Sequence, residues 1–238
     1  MFLESLEPRL LLAAVEFDAG VLTATGSDAA ETFNIRGIAN GEIVFDGDTF
    51  SNVNKIIIAA KGGDDTITWD DDGTNANKAI RDSSGSLIQC EIGGSGKLTL
   101  QNESSIGNKD IELRGTILNA GEIQVSTAQV LGAFAPFNSL SGKVHLGAGT
   151  IVSSRAIAGM DDVVGSSSAD SGDISIKSRQ ITIDTGSQLL AHVESGSDHA
   201  AGDVSILAED KTLTADFSII GFTNNTASVS LDRTLIRG

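Results

Sequence analysis

GDISIKSRQITIDTGSQLLAHVESGSDHAAGDVSI, residues 172–206, begins and ends on nearly the same phrase. GDISI at Gly172 returns as GDVSI at Gly202, and inside each copy apolar and polar residues alternate. Alternation with period two is the mark of a strand that buries one face. Related phrases precede these two: GKLTL at Gly96, GEIQV at Gly121 and GKVHL at Gly142, so the steps are 25, 21, 30 and 30 residues. A phrase returning every 20–30 residues signals a repeat architecture. Strands of four or five residues with no helical period between them do not build βαβ units. The economical solution is a parallel β-helix, each coil laying its strands on those of the coil before. Ile174, Ile176, Ile181, Ile183, Leu189, Ala191, Val193, Val204 and Ile206 then point inward. Ser175, Lys177, Thr182, Asp184, Leu190, His192 and Glu194 point outward. The glycine before each strand is expected at a corner, where positive φ or close backbone approach is needed.

The rest of the chain divides around this core. Residues 1–14 read as a short helical or irregular segment broken at Pro8. From Val15 the period changes to two, and 15–72 read as a β-rich section of short strands. Residues 73–86 are polar and read as a loop or boundary, and 87–238 as the β-helix. At about 20–25 residues per coil, the last section predicts roughly six to eight coils and a rod on the order of 30–40 Å long. Open strand edges at its ends invite end-to-end self-association. SVSLDRTLIRG, 228–238, still reads as strand at the last residue, so the chain is expected to be a truncated portion of something longer.

Composition narrows the function. Of 238 residues, 40% are hydrophobic, which supports a core; 27 are Gly, two Pro, nine Phe, one Trp and none Tyr. Small, branched side chains suit strands. Acidic residues number 32 against 16 basic, a net charge of −16. Backbone binding of nucleic acid needs a basic surface, so that partner is excluded, and anionic membranes are disfavoured. No apolar run approaches the length of a membrane span. Cys90 is alone, so no disulfide forms within the chain, and it reads as a buried small residue in LIQCEI.

Two stretches resemble known families. FLESLEPRLLLAA, residues 2–14, is similar to the LEPR-XLL element near the start of large repetitive bacterial surface proteins, with Leu6, Glu7, Pro8, Arg9, Leu11 and Leu12 in its core. That resemblance implies export and a repetitive passenger. SGDISIKS, ITIDTGSQLLAHVESGS and AAGDVSILAED resemble filamentous-haemagglutinin-like repeats. This second resemblance implies a right-handed parallel β-helix with a role in adhesion or surface structure. It implies no catalytic residues.

Chemistry-bearing motifs are sparse. AAKGGDDTITW, 59–69, resembles a fragment of the calcium-binding nonapeptide of toxin-type repeat proteins, with Gly63, Asp65 and Ile67 in matching places. Calcium takes six to eight oxygen ligands. Gly63, Asp64 and Asp65 therefore form at most half a calcium site, which Asp70, Asp71 and Asp72 are available to supplement. The plainer reading is an acidic corner without metal. His145, His192 and His199 show no zinc-ligand spacing, and Asp198 beside His199 lacks any nucleophile elbow. A polysaccharide lyase or glycosidase is the main enzymatic alternative. It needs converging carboxylates, for which Asp161, Asp162 and Asp184 qualify by type alone. The expectation is a non-enzymatic, exported cell-surface scaffold or adhesin-like stalk. Its partners are surface or extracellular-matrix components, carbohydrate among them, and its one candidate cofactor is calcium.

Overall fold

A computed structural model describes residues 14–71, 80–102, 110–127, 129–130, 139–140, 142–154, 172–191, 202–219, 229–232 and 236–237. The described residues are all-β, with no helix, and they stack as a β-solenoid. No helix among them is long and apolar enough to cross a membrane. The helical segment expected over 1–14 lies outside them except for Ala14, as do Val193, Glu194, His192, His199, Asp161 and Asp162.

Strands β1 (Ala14–Asp18), β2 (Val21–Thr25), β3 (Thr32–Ala39), β4 (Glu42–Phe45) and β5 (Asp48–Ser51) open the chain. Then follow β6 (Lys55–Lys61), β7 (Asp65–Asp71), β8 (Gln89–Gly94), β9 (Leu98–Asn102), β10 (Ile111–Asn119) and β11 (Ile123–Thr127). A short antiparallel pair, β12 (Gln129–Val130) and β13 (Ser139–Leu140), leads to β14 (Lys143–Leu146) and β15 (Ile151–Ser153). The chain ends on β16 (Ile174–Leu190), β17 (Val204–Ile219), β18 (Val229–Asp232) and β19 (Ile236–Arg237).

Parallel pairing sorts most of these into three ladders. The first runs β3–β7–β9–β11–β16–β17–β18. The second runs β2–β6–β8–β10–β15–β16–β17. The third runs β10–β14–β16–β17–β19. The first two ladders pass from the 15–72 section into the later coils without a break. Segments that read as separate strands are fused: β16 alone supplies rungs to all three ladders. Of the segment read as a loop or boundary, residues 80–86 are described and form a turn closed by the Arg81–Leu87 bridge. Ile80 is buried, and Asp82 accepts the backbone N–H groups of Ser84 and Ser86, both at 2.9 Å, to shape the next corner.

Alternation decides which face is buried. In the first ladder Phe33, Ile67, Leu100, Val125, Ile176 and Ile206 lie in register and are all buried. Each such aliphatic side chain contributes about 1.5–3 kcal/mol of burial. Ile174, Ile181, Ile183, Leu189, Ala191 and Val204 also point inward as expected. Cys90 is fully buried between Ile56 and Gly115, and burial pushes its thiol far up.

Two sequence expectations are corrected. GKVHL does not stack on GEIQV: Val144 pairs with Ile111 and Ile181 in the third ladder. The first ladder instead steps directly from β11 to β16, so Thr127 and Ser178, 51 residues apart, share a hydrogen bond. Coils are therefore longer than the phrase spacing suggests. Among the described residues from 87 on, the first ladder has five strands, β9–β11–β16–β17–β18, where six to eight coils were expected. Secondly, the first coil is covered by antiparallel strands, so the edges at that end are those of β1 and β5. β1 pairs antiparallel with β2, β4 pairs antiparallel with β3, and Ile43, Phe45 and Val53 are buried over the end of the core. Phe17 and Phe50 meet above them with ring centroids 5.5 Å apart.

The glycine corner follows from close approach. A Cβ on Gly121 would lie 2.2 Å from the Gly96 carbonyl oxygen, and one on Gly202 2.2 Å from that of Gly172. Gly172 in turn sits against Gly121, and Gly96 against Gly63. Backbone thus stacks on backbone along one edge, and no other residue fits there.

Candidate functional site

The corner before the first ladder carries the expected calcium residues. Gly63 has a φ of +90°, and a Cβ there would meet the Ala29 carbonyl carbon at 2.5 Å. This turn aims the next two carboxylates at neighbouring coils. Asp65 is buried, and its Oδ1 accepts the Glu31 backbone N–H at 3.0 Å. Asp64 Oδ1 accepts the Lys97 backbone N–H at 3.2 Å, while the Asp65 N–H donates to the Lys97 carbonyl at 2.7 Å. Gly63, Asp64 and Asp65 are therefore brought together, and they stitch three successive coils. Burial pushes the Asp65 carboxyl up to about 6; the Glu31 N–H pulls the other way, and the charges of Glu31 and Asp64 add to the rise.

Asp70 does not join them. β7 is extended, so Asp70 lies roughly 16 Å along the strand from Asp65, at the rung of Arg36. The side chains of Asp71 and Asp72 lie outside the described residues. Among the described residues no group of three or more His, Cys, Asp and Glu side chains is arranged to hold a metal ion.

A second charged centre stands on the outer wall of the third ladder. Glu112 of β10 and His145 of β14 are register partners, and Thr182 of β16 continues the row. Glu112 is buried, and Arg81 Nη2 donates to its Oε2 at 2.7 Å. Lys143 Nζ contacts Glu112 Oε1, and His145 Nδ1 lies 3.7 Å from the same oxygen. The other ring nitrogen, Nε2, is 2.9 Å from Asp184 Oδ2. Asp110 completes the surroundings, its Oδ1 accepting the Lys143 backbone N–H at 2.8 Å. Burial alone would raise the Glu112 carboxyl, but the facing His145 and Lys143 groups and the charges of Lys143 and Arg81 hold it down at about 2. His145 is raised, first by the facing Glu112 and, against its own burial, by Asp184. Burial raises Asp110.

Sequence reasoning named Asp184 and His145 separately and missed Glu112, Lys143 and Arg81. Their partners lie 31 and 39 residues apart in the chain. Only the coil register brings them together, so no local motif marks them. Chemically the centre is a charge network: each carboxylate named in it faces a cation or a donor.

No family model, curated protein or solved structure matches this chain.

Proposed function

We propose that this chain is an exported, non-catalytic scaffold of a bacterial cell surface, adhesin-like in that it works by presenting long repeated faces. One observation carries the reading: five of the described acidic side chains at its corners and wall are bound to the solenoid itself. Asp64, Asp65, Asp110 and Asp173 each accept a backbone N–H from a neighbouring coil, and Glu112 is held by Lys143 and Arg81. A polysaccharide lyase or glycosidase needs carboxylates turned toward substrate. In this chain Asp184 turns toward His145. The LEPR-XLL resemblance of residues 2–14 supports export.

The reading is tested with antibodies raised against the purified protein. On intact cells of the producing organism they label the surface, and external protease removes the label. Labelling only after lysis would reject it. Release of reducing ends or unsaturated uronides from polysaccharides by the purified protein, abolished in Asp184→Asn, would establish the enzymatic alternative instead.

A further inference from the structure

His145 stands between two carboxylates that belong to different coils. Its strand, β14, pairs with residues 111–113 of β10 on one side and with residues 180–183 of β16 on the other. Nδ1 faces Glu112 Oε1 at 3.7 Å, and Nε2 meets Asp184 Oδ2 at 2.9 Å. One ring therefore spans both seams of its strand. The other charged groups around it are Lys143 on β14, Asp110 just before β10, and Arg81, which reaches Glu112 from the turn at 80–86. Arg179 precedes Gln180 on β16, and Arg114, further along β10, faces Asp82 at 3.6 Å.

Proton counting decides what this arrangement can do. A carboxylate only accepts hydrogen bonds, whereas a neutral imidazole has one N–H and one lone pair. The imidazolium turns an N–H toward each carboxylate and attracts both. A single remaining proton cannot serve the two. Placed on Nδ1, it would leave the Nε2 lone pair against Asp184 Oδ2 at hydrogen-bond distance. It therefore stays on Nε2, and the Nδ1 lone pair then faces the Glu112 carboxylate. Attraction across the β10–β14 seam becomes repulsion, and Glu112 does not escape by taking up a proton while Lys143 and Arg81 hold it. Little else closes that seam. β10 and β14 share three paired residues, and the Gly147 N–H donates to the Leu113 carbonyl at 2.8 Å just beyond them. In the first ladder β9 and β11 share five pairs, none with an ionisable side chain. We infer that His145 is a proton-operated clasp on the outer wall of the third ladder: the imidazolium holds β10 to β14, and its deprotonation loosens that seam while the first ladder stays closed. The two carboxylates raise His145 above 6.5, so the clasp is shut in acid and opens as pH rises through the folded value.

The clasp does not depend on the surface-scaffold reading, and it is tested on the purified full chain. Amide hydrogen exchange is followed from pH 6 to pH 9, with each rate corrected for that of an unprotected amide. The Gly147 N–H reports the β10–β14 seam, and the Leu98 N–H, bonded to the Glu122 carbonyl at 2.8 Å, reports the first ladder. Protection of Gly147 relative to Leu98 is expected to fall about fivefold over this range, as for the loss of a partly exposed ion pair. The midpoint of the fall coincides with the titration of the His145 ring, read by nuclear magnetic resonance. His145→Gln carries no titrating group there and keeps the ratio constant. Asp184→Asn removes most of the fall, because its amide N–H donates to Nε2 and leaves the imidazole proton to Nδ1, on the Glu112 side. Circular dichroism and the fluorescence of Trp69 verify that each variant is folded. Any of three results overturns the inference: a constant ratio in the wild type, an equal fall in His145→Gln, or a fall undiminished in Asp184→Asn.

Discussion

Asp65 and Glu112 are buried to nearly the same degree, 2% and 4% exposed, yet their acidities move in opposite directions. Asp65 rises from 3.8 to about 6, and Glu112 falls from 4.5 to about 2. Desolvation pushes both upward, so burial does not set the sign. Neighbours do. Asp65 has one backbone N–H at Glu31 and two carboxylates beside it, whereas Glu112 has Lys143, Arg81 and His145. Both residues bind adjacent coils together, by different physics. The Asp65 corner tolerates its charge, and the Glu112 centre depends on it.

The contrast breaks first at Lys143. Lys143→Met leaves the Glu112 charge with Arg81 and His145 alone. Removing one partner of a buried charge is expensive, and partial exposure of Lys143 together with the remaining Arg81 reduces the loss to about 2–3 kcal/mol at pH 7. Chemical denaturation of wild type and variant measures it. Asp65→Asn acts in the opposite direction. The amide oxygen still accepts the Glu31 N–H, and the cost of ionising a buried carboxyl disappears. The variant is expected to gain about 1–2 kcal/mol at pH 7 and almost nothing near pH 4, where the wild-type carboxyl is already protonated.

The pH dependence separates the two regions further. Glu112 is depressed, so its contribution is in place above 4.5 and is lost as pH falls toward 2. His145 is raised above 6.5, so its contribution is in place below that value and is lost as pH rises through its folded pKa. The centre is fully charged between those limits. Asp65 favours acid: its contribution is in place below 3.8 and is lost as pH rises through about 6. Melting temperature is therefore expected to be highest at about pH 5. His145→Gln lowers it there by the equivalent of about 1 kcal/mol and leaves it unchanged at alkaline pH, where His145 is neutral. A uniform loss across the pH range would mean that the imidazole acts by packing alone.

Much of this was legible in the sequence, within limits set by distance along the chain. Alternation at Ile174, Ile176, Ile181 and Ile183 sorted inside from outside, because period two is a local property. The glycines of GKLTL, GEIQV, GDISI and GDVSI were recognisable as corners, and of the two expected reasons it is close backbone approach that holds. The phrase GKVHL misled, since the same Gly-charge-apolar pattern serves two different ladders. Nothing local marks a 51-residue step, nor the antiparallel strands β1 and β4 that cover the first coil. The Glu112 centre was hidden for the same reason: its members meet only once the register of β10 and β14 is known.

The smallest expected effect concerns calcium, and it sharpens the contrast from the Asp65 side. A cation that bound only the folded chain would raise the melting temperature in proportion to its affinity. Calcium takes six to eight oxygens at 2.3–2.6 Å. The Gly63–Asp65 turn instead directs Asp64 Oδ1 and Asp65 Oδ1 at the backbone N–H groups of Lys97 and Glu31, and Asp70 stands at the far end of β7. Binding there would require those two N–H groups to give up their acceptors, each bond contributing about 0.5–1.5 kcal/mol net. Millimolar calcium at pH 7 is therefore expected to leave the melting temperature within a degree or so. A rise of several degrees that Asp65→Asn removes would show that calcium competes successfully with the coil-to-coil bonds. In that case the corner would be held by metal, and its carboxylates would stay charged in acid, as Glu112 does beside Lys143.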